Sequence, residues 1–113
     1  MEQTLEQLLQ QGVDAHNAGN LEEAERLYCA VLEVDPGQPD ANHNLGVMAV
    51  SVNKLELALP LFKTALNANG SVVQFWLSLI DALIKAKQFA TAREFIDLAS
   101  KAGLGEEDID DLE

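Results

Sequence analysis

Cysteine is nearly absent: Cys29 stands alone, so no disulfide can close within the chain, and a reducing compartment is compatible with it. Aromatic residues make up 5% of the sequence and proline supplies three positions, against 48% hydrophobic residues in all. A sheet core leans on aromatic and β-branched side chains, so this mix favours helices packed through Leu, Ala and Val. Basic residues are scarce as well: 7 Lys and Arg face 19 Asp and Glu, for a net charge of −12. Nucleic acid, whose phosphates demand clustered cations, is not an expected partner. Nor is an anionic membrane surface. No apolar run reaches the length that spans a bilayer, and the opening MEQTLEQLLQQ has neither the basic nor the apolar stretch of a secretion signal. The expectation is a soluble, cytoplasmic chain of 113 residues forming one domain, able to bury about 65% of its extended surface.

Sites for chemistry are missing too. No phosphate-binding loop, nucleophile elbow or zinc spacing occurs, so neither catalysis nor a cofactor or metal is expected. His16 and His43 fall on different predicted helices without a carboxylate-histidine ligand set, and read as solvated histidines. Cys29 has no obvious cationic neighbour and reads as a buried or inert thiol. The acidic pairs Glu22–Glu23 and Glu106–Glu107 suit the positive ends of helix dipoles.

What the sequence does have is repetition. Gly12 and Gly46 lie 34 positions apart, as do Tyr28 and Phe62. Ala24, Ala58 and Ala92 continue the period, Leu21 and Leu55 step to Phe89, Leu45 to Leu79, and Pro36 to Gly70. A fixed period of this length marks stacked supersecondary units. The stretch Asp40–Gly70 shows the unit best. Leu45, Met48 and Val52, then Leu55, Leu59, Phe62 and Leu66, suit the facing stripes of a helix pair joined at Val52–Asn53–Lys54. Val47, Val50 and Leu61 lie off those stripes, so the pair needs neighbours on more than one side.

Start and stop signals recur with the period. Thr4 with Gln7, Asn20 with Glu23, Asn53 with Glu56 and Ser71 with Gln74 have capping-box spacing. Pro39 suits a first helical position, which needs no amide proton, and Pro36 stops the helix before it. Gly19 and Asn53 suit left-handed turns. Pro60 sits inside a predicted helix at a cost of about 3 kcal/mol, so it belongs either on the outer, solvated face or at a kink that shapes the curvature of the stack.

These residues resemble the tetratricopeptide repeat over nearly the whole chain. Copy one carries Leu8, Gly12, Ala15, Gly19, Ala24, Tyr28, Val31 and Pro36. Copy two carries Asn42, Leu45, Gly46, Ala49, Ala58, Phe62, Ala65 and Gly70, and copy three Trp76, Leu79, Ile80, Leu83, Ala92, Ile96 and Ala99. Gln11 at the Leu site, Ile80 at the Gly site and Lys87 at the turn site depart from the pattern. The resemblance implies an all-α, right-handed α-solenoid of three antiparallel helix hairpins plus a C-terminal capping helix. Repeats would fall at about 5–38, 39–72 and 73–104 and the cap at 105–113; in the closing stretch LGEEDIDDLE, Leu104, Ile109 and Leu112 have the spacing to cover Phe95 and Leu98. An acidic recognition tail is the alternative for that segment. The chain stops soon after copy three, which fits a piece of something longer.

In such a stack, family geometry puts the first helix of each copy on the concave side. The peptide-binding residues implied there are Leu9, Val13, His16 and Asn17 from copy one and Asp40, His43, Asn44, Val47 and Val50 from copy two. Gln74, Leu77, Ser78 and Asp81 come from copy three. Leu9, Val13, Val47, Val50, Leu77 and Ile84 form an apolar strip that reads as a partner site or, alternatively, as filler between helices. Asn44 stands where arrays such as those of O-GlcNAc transferases use an Asn to hold a peptide main chain; the equivalents here are Gln10 and Ser78. The carboxylate clamp of chaperone-docking members is not matched, because Leu9, Val13, Asn44, Gln74 and Ser78 include no cation. Acidic C-terminal peptides are therefore unexpected. The implied function is a non-catalytic module binding an uncharged or basic peptide segment. Two rivals stand beside it: a substrate-presenting appendage of a larger enzyme such as a bacterial glycosyltransferase, and a scaffold that homo-oligomerises through its open ends.

Overall fold

A computed structural model describes residues 3–103. Six helices follow one another: α1 (Leu5–Asn17), α2 (Leu21–Val34), α3 (Pro39–Ser51), α4 (Leu55–Ala68), α5 (Val73–Lys85) and α6 (Phe89–Lys101). First helices begin at 5, 39 and 73 and second helices at 21, 55 and 89, so the 34-residue period is kept in space. Among the described residues there is no strand. Each helix packs on its chain neighbours, and α3 also reaches α5. The result is an open stack of 47 × 27 × 21 Å with a radius of gyration of 14.5 Å, against about 13 Å for a compact domain of this length. The fold is an all-α solenoid of three helical hairpins. The expected capping helix at 105–113 lies outside the described residues.

All three hairpins turn in the same way. Gly19, Asn53 and Lys87 sit at φ +81°, +60° and +61°. The next amide closes back onto the carbonyl five residues earlier: Asn20 on Ala15 at 2.8 Å, Lys54 on Ala49 at 2.8 Å and Gln88 on Leu83 at 2.9 Å. This is the Schellman arrangement, which satisfies carbonyls that the helix end would leave without partners. Lys87, which breaks the sequence pattern, still takes the left-handed geometry.

Helix starts are less uniform than the spacing suggests. Thr4 and Gln7 form the full reciprocal box. Asn20 accepts from the Glu23 amide at 3.4 Å, while the Glu23 carboxylate turns to Arg26 instead of completing the box. Pro39 does open α3, with Gln38 accepting from the Ala41 amide. The other two expected boxes do not form. Lys54, not Asn53, precedes α4, and Val72, not Ser71, precedes α5, neither with a side-chain cap. Asn53 is taken up by the left-handed turn, and Ser71 bonds Asn69 at 2.7 Å.

Inside each hairpin one contact sets the spacing of the helices. A Cβ added to Gly12 would lie 2.7 Å from the Tyr28 ring, and one added to Gly46 would lie 2.4 Å from the Phe62 ring. In the third hairpin the equivalent pair is Ile80 and Ile96, both buried and packed together with Ala99. A larger residue on the first helix is met by a smaller one on the second, so the departure at Ile80 is compensated in place.

Two core clusters run between hairpins. Leu8, Leu9, Val13 and Tyr28 meet Ala41, Leu45 and Met48 of the second copy. Leu59, Phe62 and Leu66 meet Phe75, Leu79 and Leu83 of the third. Val52 does not join this core as its spacing suggests; it caps α3 and is 56% exposed. Pro60 faces solvent within a continuous α4, and the Thr64 hydroxyl donates to its carbonyl at 2.9 Å.

The carbonyls between repeats have a repeated partner. The Trp76 indole N–H donates to the Gly70 carbonyl at 2.9 Å. One period earlier, Asn42 donates its amide to the Pro36 carbonyl at 3.0 Å and to Gln38 at 2.9 Å. Asn42 occupies an aromatic position yet supplies the same donor, and it is 3% exposed.

Two stability measurements follow. Gly46→Ala should destabilise the protein by about 1–3 kcal/mol in urea unfolding, because the 2% exposed Phe62 ring has nowhere to move. The same substitution in a Phe62→Ile background should cost less, as the Ile80–Ile96 pair implies. Lys87→Gly should stabilise by about 1 kcal/mol by relieving the left-handed strain.

Candidate peptide-binding face

The face in question is carried by α1, α3 and α5, the first helices of the hairpins, with α3 directly against α5. Because α3 touches α2, α4 and α5, its buried residues are spread round it: Ala41, Asn42, His43, Gly46 and Ala49. That leaves its remaining surface, around Asn44, Val47 and Val50, for the open side.

Five hydrogen bonds link side chains across this face. Gln74 Nε2 donates to Ser78 Oγ at 3.1 Å, and Ser78 Oγ lies 2.7 Å from His43 Nε2. His43 Nδ1 lies 3.4 Å from Asn44 Oδ1, and Asn44 Nδ2 donates to the Tyr28 hydroxyl at 3.3 Å. That hydroxyl lies 3.4 Å from His16 Nδ1. The amide orientation of Asn44 gives the chain a direction. Its Oδ1 can only accept, so His43 carries its proton on Nδ1 and takes the Ser78 proton on Nε2. The Tyr28 hydroxyl accepts from Asn44 and also bonds His16 Nδ1. One line of hydrogen bonds therefore runs from α5 through α3 and α2 to α1.

His43 corrects the expectation of a solvated histidine. It is 9% exposed and lies between the rings of Phe62 and Phe75, with centroids at 5.5 and 4.9 Å. Burial lowers its pKa below the usual 6.5, against the opposing pull of the Asn44 hydrogen bond and the Asp40 charge. His16 is half-buried, edge-on to Tyr28 at 6.2 Å, and so is not free in solvent either. Cys29 is exposed rather than buried; partial desolvation, then Glu25 and Glu33, push its pKa up, which keeps it a thiol.

The other expected face residues divide. Leu9 and Val13 are half-buried against the first inter-repeat core, and Val50 and Ile84 against the second, so these four also serve as filler. Val47 is 37% exposed and Leu77 half-buried, and neither belongs to a core cluster. Asn17, Asp40 and Gln74 are exposed, and Asp81 pairs with Lys85 at 2.8 Å. A small pocket of about 150 Å³ opens between Val47, Val50, Phe62, Ser78 and Asp81. Tyr28, Phe62 and Phe75 were not expected to take part in this face. Tyr28 and Phe62 read as core at glycine-facing positions, and only the phenolic hydroxyl of Tyr28 hints that its far end needs a polar partner.

A tetratricopeptide-repeat family model matches residues 48–104. The chain belongs to that family. No curated protein is matched by it. Tetratricopeptide repeats generally act as non-catalytic protein-interaction modules. The matched segment covers the later helices, while the first hairpin shares the Gly–aromatic contact and the same turn. Among the described residues no three His, Cys, Asp or Glu side chains gather as a metal site, and no helix is long and apolar enough to cross a membrane.

The burial of His43 has a pH consequence. Its folded pKa is depressed, so the unfolded chain takes up a proton first as pH falls below 6.5. The stabilisation from neutral His43 is complete above that value and is lost on acidification, by at most about 1.4 kcal/mol per pH unit. Urea midpoints should fall between about pH 7.5 and 5.5, above the range where ordinary carboxylates titrate. His43→Gln should flatten the fall.

Proposed function

We propose that this tetratricopeptide-repeat chain binds a peptide segment of a partner protein, uncharged or basic, along the concave face of α1, α3 and α5. The observation that carries the reading is Val47 and Leu77: apolar side chains on adjacent repeats, outside the core clusters, with Val47 lining an open pocket. Exposed apolar surface on a small protein is costly to keep without a partner. The charge balance supports the choice of partner. The inner helices carry Glu6, Asp14, Asp40 and Asp81 against Lys85 as their lone Lys or Arg, which disfavours an acidic segment.

Asn44 suits a main-chain grip even though it bonds Tyr28 and His43. An amide has two protons and two acceptor sites, so one of each remains for a peptide unit, and the residue is half-buried rather than sealed. Leu9, Val13, His16, Asn17, Val50, Gln74 and Ser78 would line the remainder, His43 contributing from beneath rather than by contact.

Peptides selected from a displayed random library against the full chain provide the test. The Val47→Ala/Leu77→Ala double variant should weaken their binding about tenfold, the loss expected for two partly buried aliphatic side chains, with helical circular dichroism unchanged. Equal binding by the folded variant would show that the peptides sit elsewhere.

A further inference from the structure

The pocket beside Val47 narrows the class of segment. It lies between α3 and α5 and is lined by Val47, Val50, Phe62, Ser78 and Asp81. Its free volume of about 150 Å³ is at least ten times the roughly 10–15 Å³ needed to admit one water. That is room for a long unbranched side chain. We propose that this pocket takes the side chain of a lysine or arginine from the bound peptide, its aliphatic stem on Val47 and Val50 and its cationic head at the Asp81 carboxylate. The inference rests on the groove reading above and specifies one of its contacts.

Three features select a cation over other occupants. The lining is apolar at Val47, Val50 and Phe62 and acidic at Asp81, the same combination that a basic side chain offers in its methylenes and its charge. The Ser78 hydroxyl is already engaged, accepting from Gln74 and bonded to His43, so Asp81 is the polar group left to meet a ligand. Lys85 does not close the site. Its pair with Asp81 is an exposed i,i+4 bridge, with side chains 52% and 46% accessible, of a kind that contributes little. A carboxylate has acceptor sites for a second cation besides Lys85.

The test is an NMR titration of the full chain, reading backbone amides, with capped pentapeptides of alanine carrying Lys, Arg, norleucine or Glu at the centre. The Lys and Arg peptides should shift the amides of Val47, Val50, Ser78 and Asp81. They should bind about three- to fivefold more tightly than the norleucine peptide, which keeps the stem and drops the charge, and the Glu peptide should bind least. Asp81→Asn, at an exposed position, should bring the Lys peptide to the norleucine level. Norleucine binding as tightly as Lys, with shifts on α3 and α5, would overturn the cation assignment while leaving the groove in place. Lys-peptide shifts confined to α2, α4 and α6, or absent altogether, would overturn this proposal; if library-selected peptides also ignored Val47 and Leu77, the groove reading would fall with it.

Discussion

In the first two hairpins the paired helices approach until a ring on one rests on bare backbone of the other. Tyr28 over Gly12 and Phe62 over Gly46 leave no space for even a methyl group. This contact limits how closely the two helices can lie. The core clusters between repeats draw on the same rings: Tyr28 packs with Ala41 and its neighbours, and Phe62 with Phe75 and Leu79. Interiors as dense as these transmit displacement instead of absorbing it. A change of volume at Gly46 would therefore be felt at the boundary between repeats as well as inside one. The third hairpin meets the same constraint with Ile80 and Ile96, which shows that the requirement is on the summed volume of the pair and not on glycine itself.

That geometry also decides what reaches the face of α1, α3 and α5. Lying across Gly12, Tyr28 extends its hydroxyl beyond the core to a point where Asn44 and His16 can meet it. Phe62, lying across Gly46, is one of two rings packed on His43, and it helps line the pocket beside Val47. The aromatic residues thus have a packing end and a working end. Burial of His43 is tolerable because both ring nitrogens have partners, one on its own helix and one on the next repeat.

Much of this architecture is legible in the residues. The spacing of Gly12 and Gly46, the alanines at 24, 58 and 92, and the breaks at Gly19 and Asn53 lead directly to three hairpins, because each marks a local steric or conformational need. Other features depend on pairs that a single position cannot reveal. Ile80 looks like a defect until Ile96 is placed opposite it. Asn42 looks wrong at an aromatic site until its amide is seen to reach the Pro36 carbonyl as the Trp76 indole reaches Gly70. Ser71 and Asn53 have capping-box spacing but lose to nearer competitors, a side-chain bond to Asn69 and a left-handed turn. Val47 and Leu77 come to the proposed face through the family resemblance, which implies that the first helices line the concave side. The burial of His43 does not follow from it, since it depends on how closely α5 comes to α3, a property of the stack and not of either helix.

The face and the stack are consequently not independent. Ser78 and His43 join the second repeat to the third, and Asn44 and Tyr28 join it to the first. On the proposed reading, a peptide unit that took the remaining acceptor and donor of Asn44 would polarise bonds that hold the repeats in register, since hydrogen bonds in a chain strengthen or weaken together. Each of the longer links, at 3.3 and 3.4 Å, is near the limit of an effective bond and has room to shorten. A ligand that drew Asn44 toward the groove would lengthen them, while one that pressed from above would tighten them. Grip on the ligand and rigidity of the solenoid would then be set by the same few polar atoms, with the glycine-facing rings holding those atoms in place.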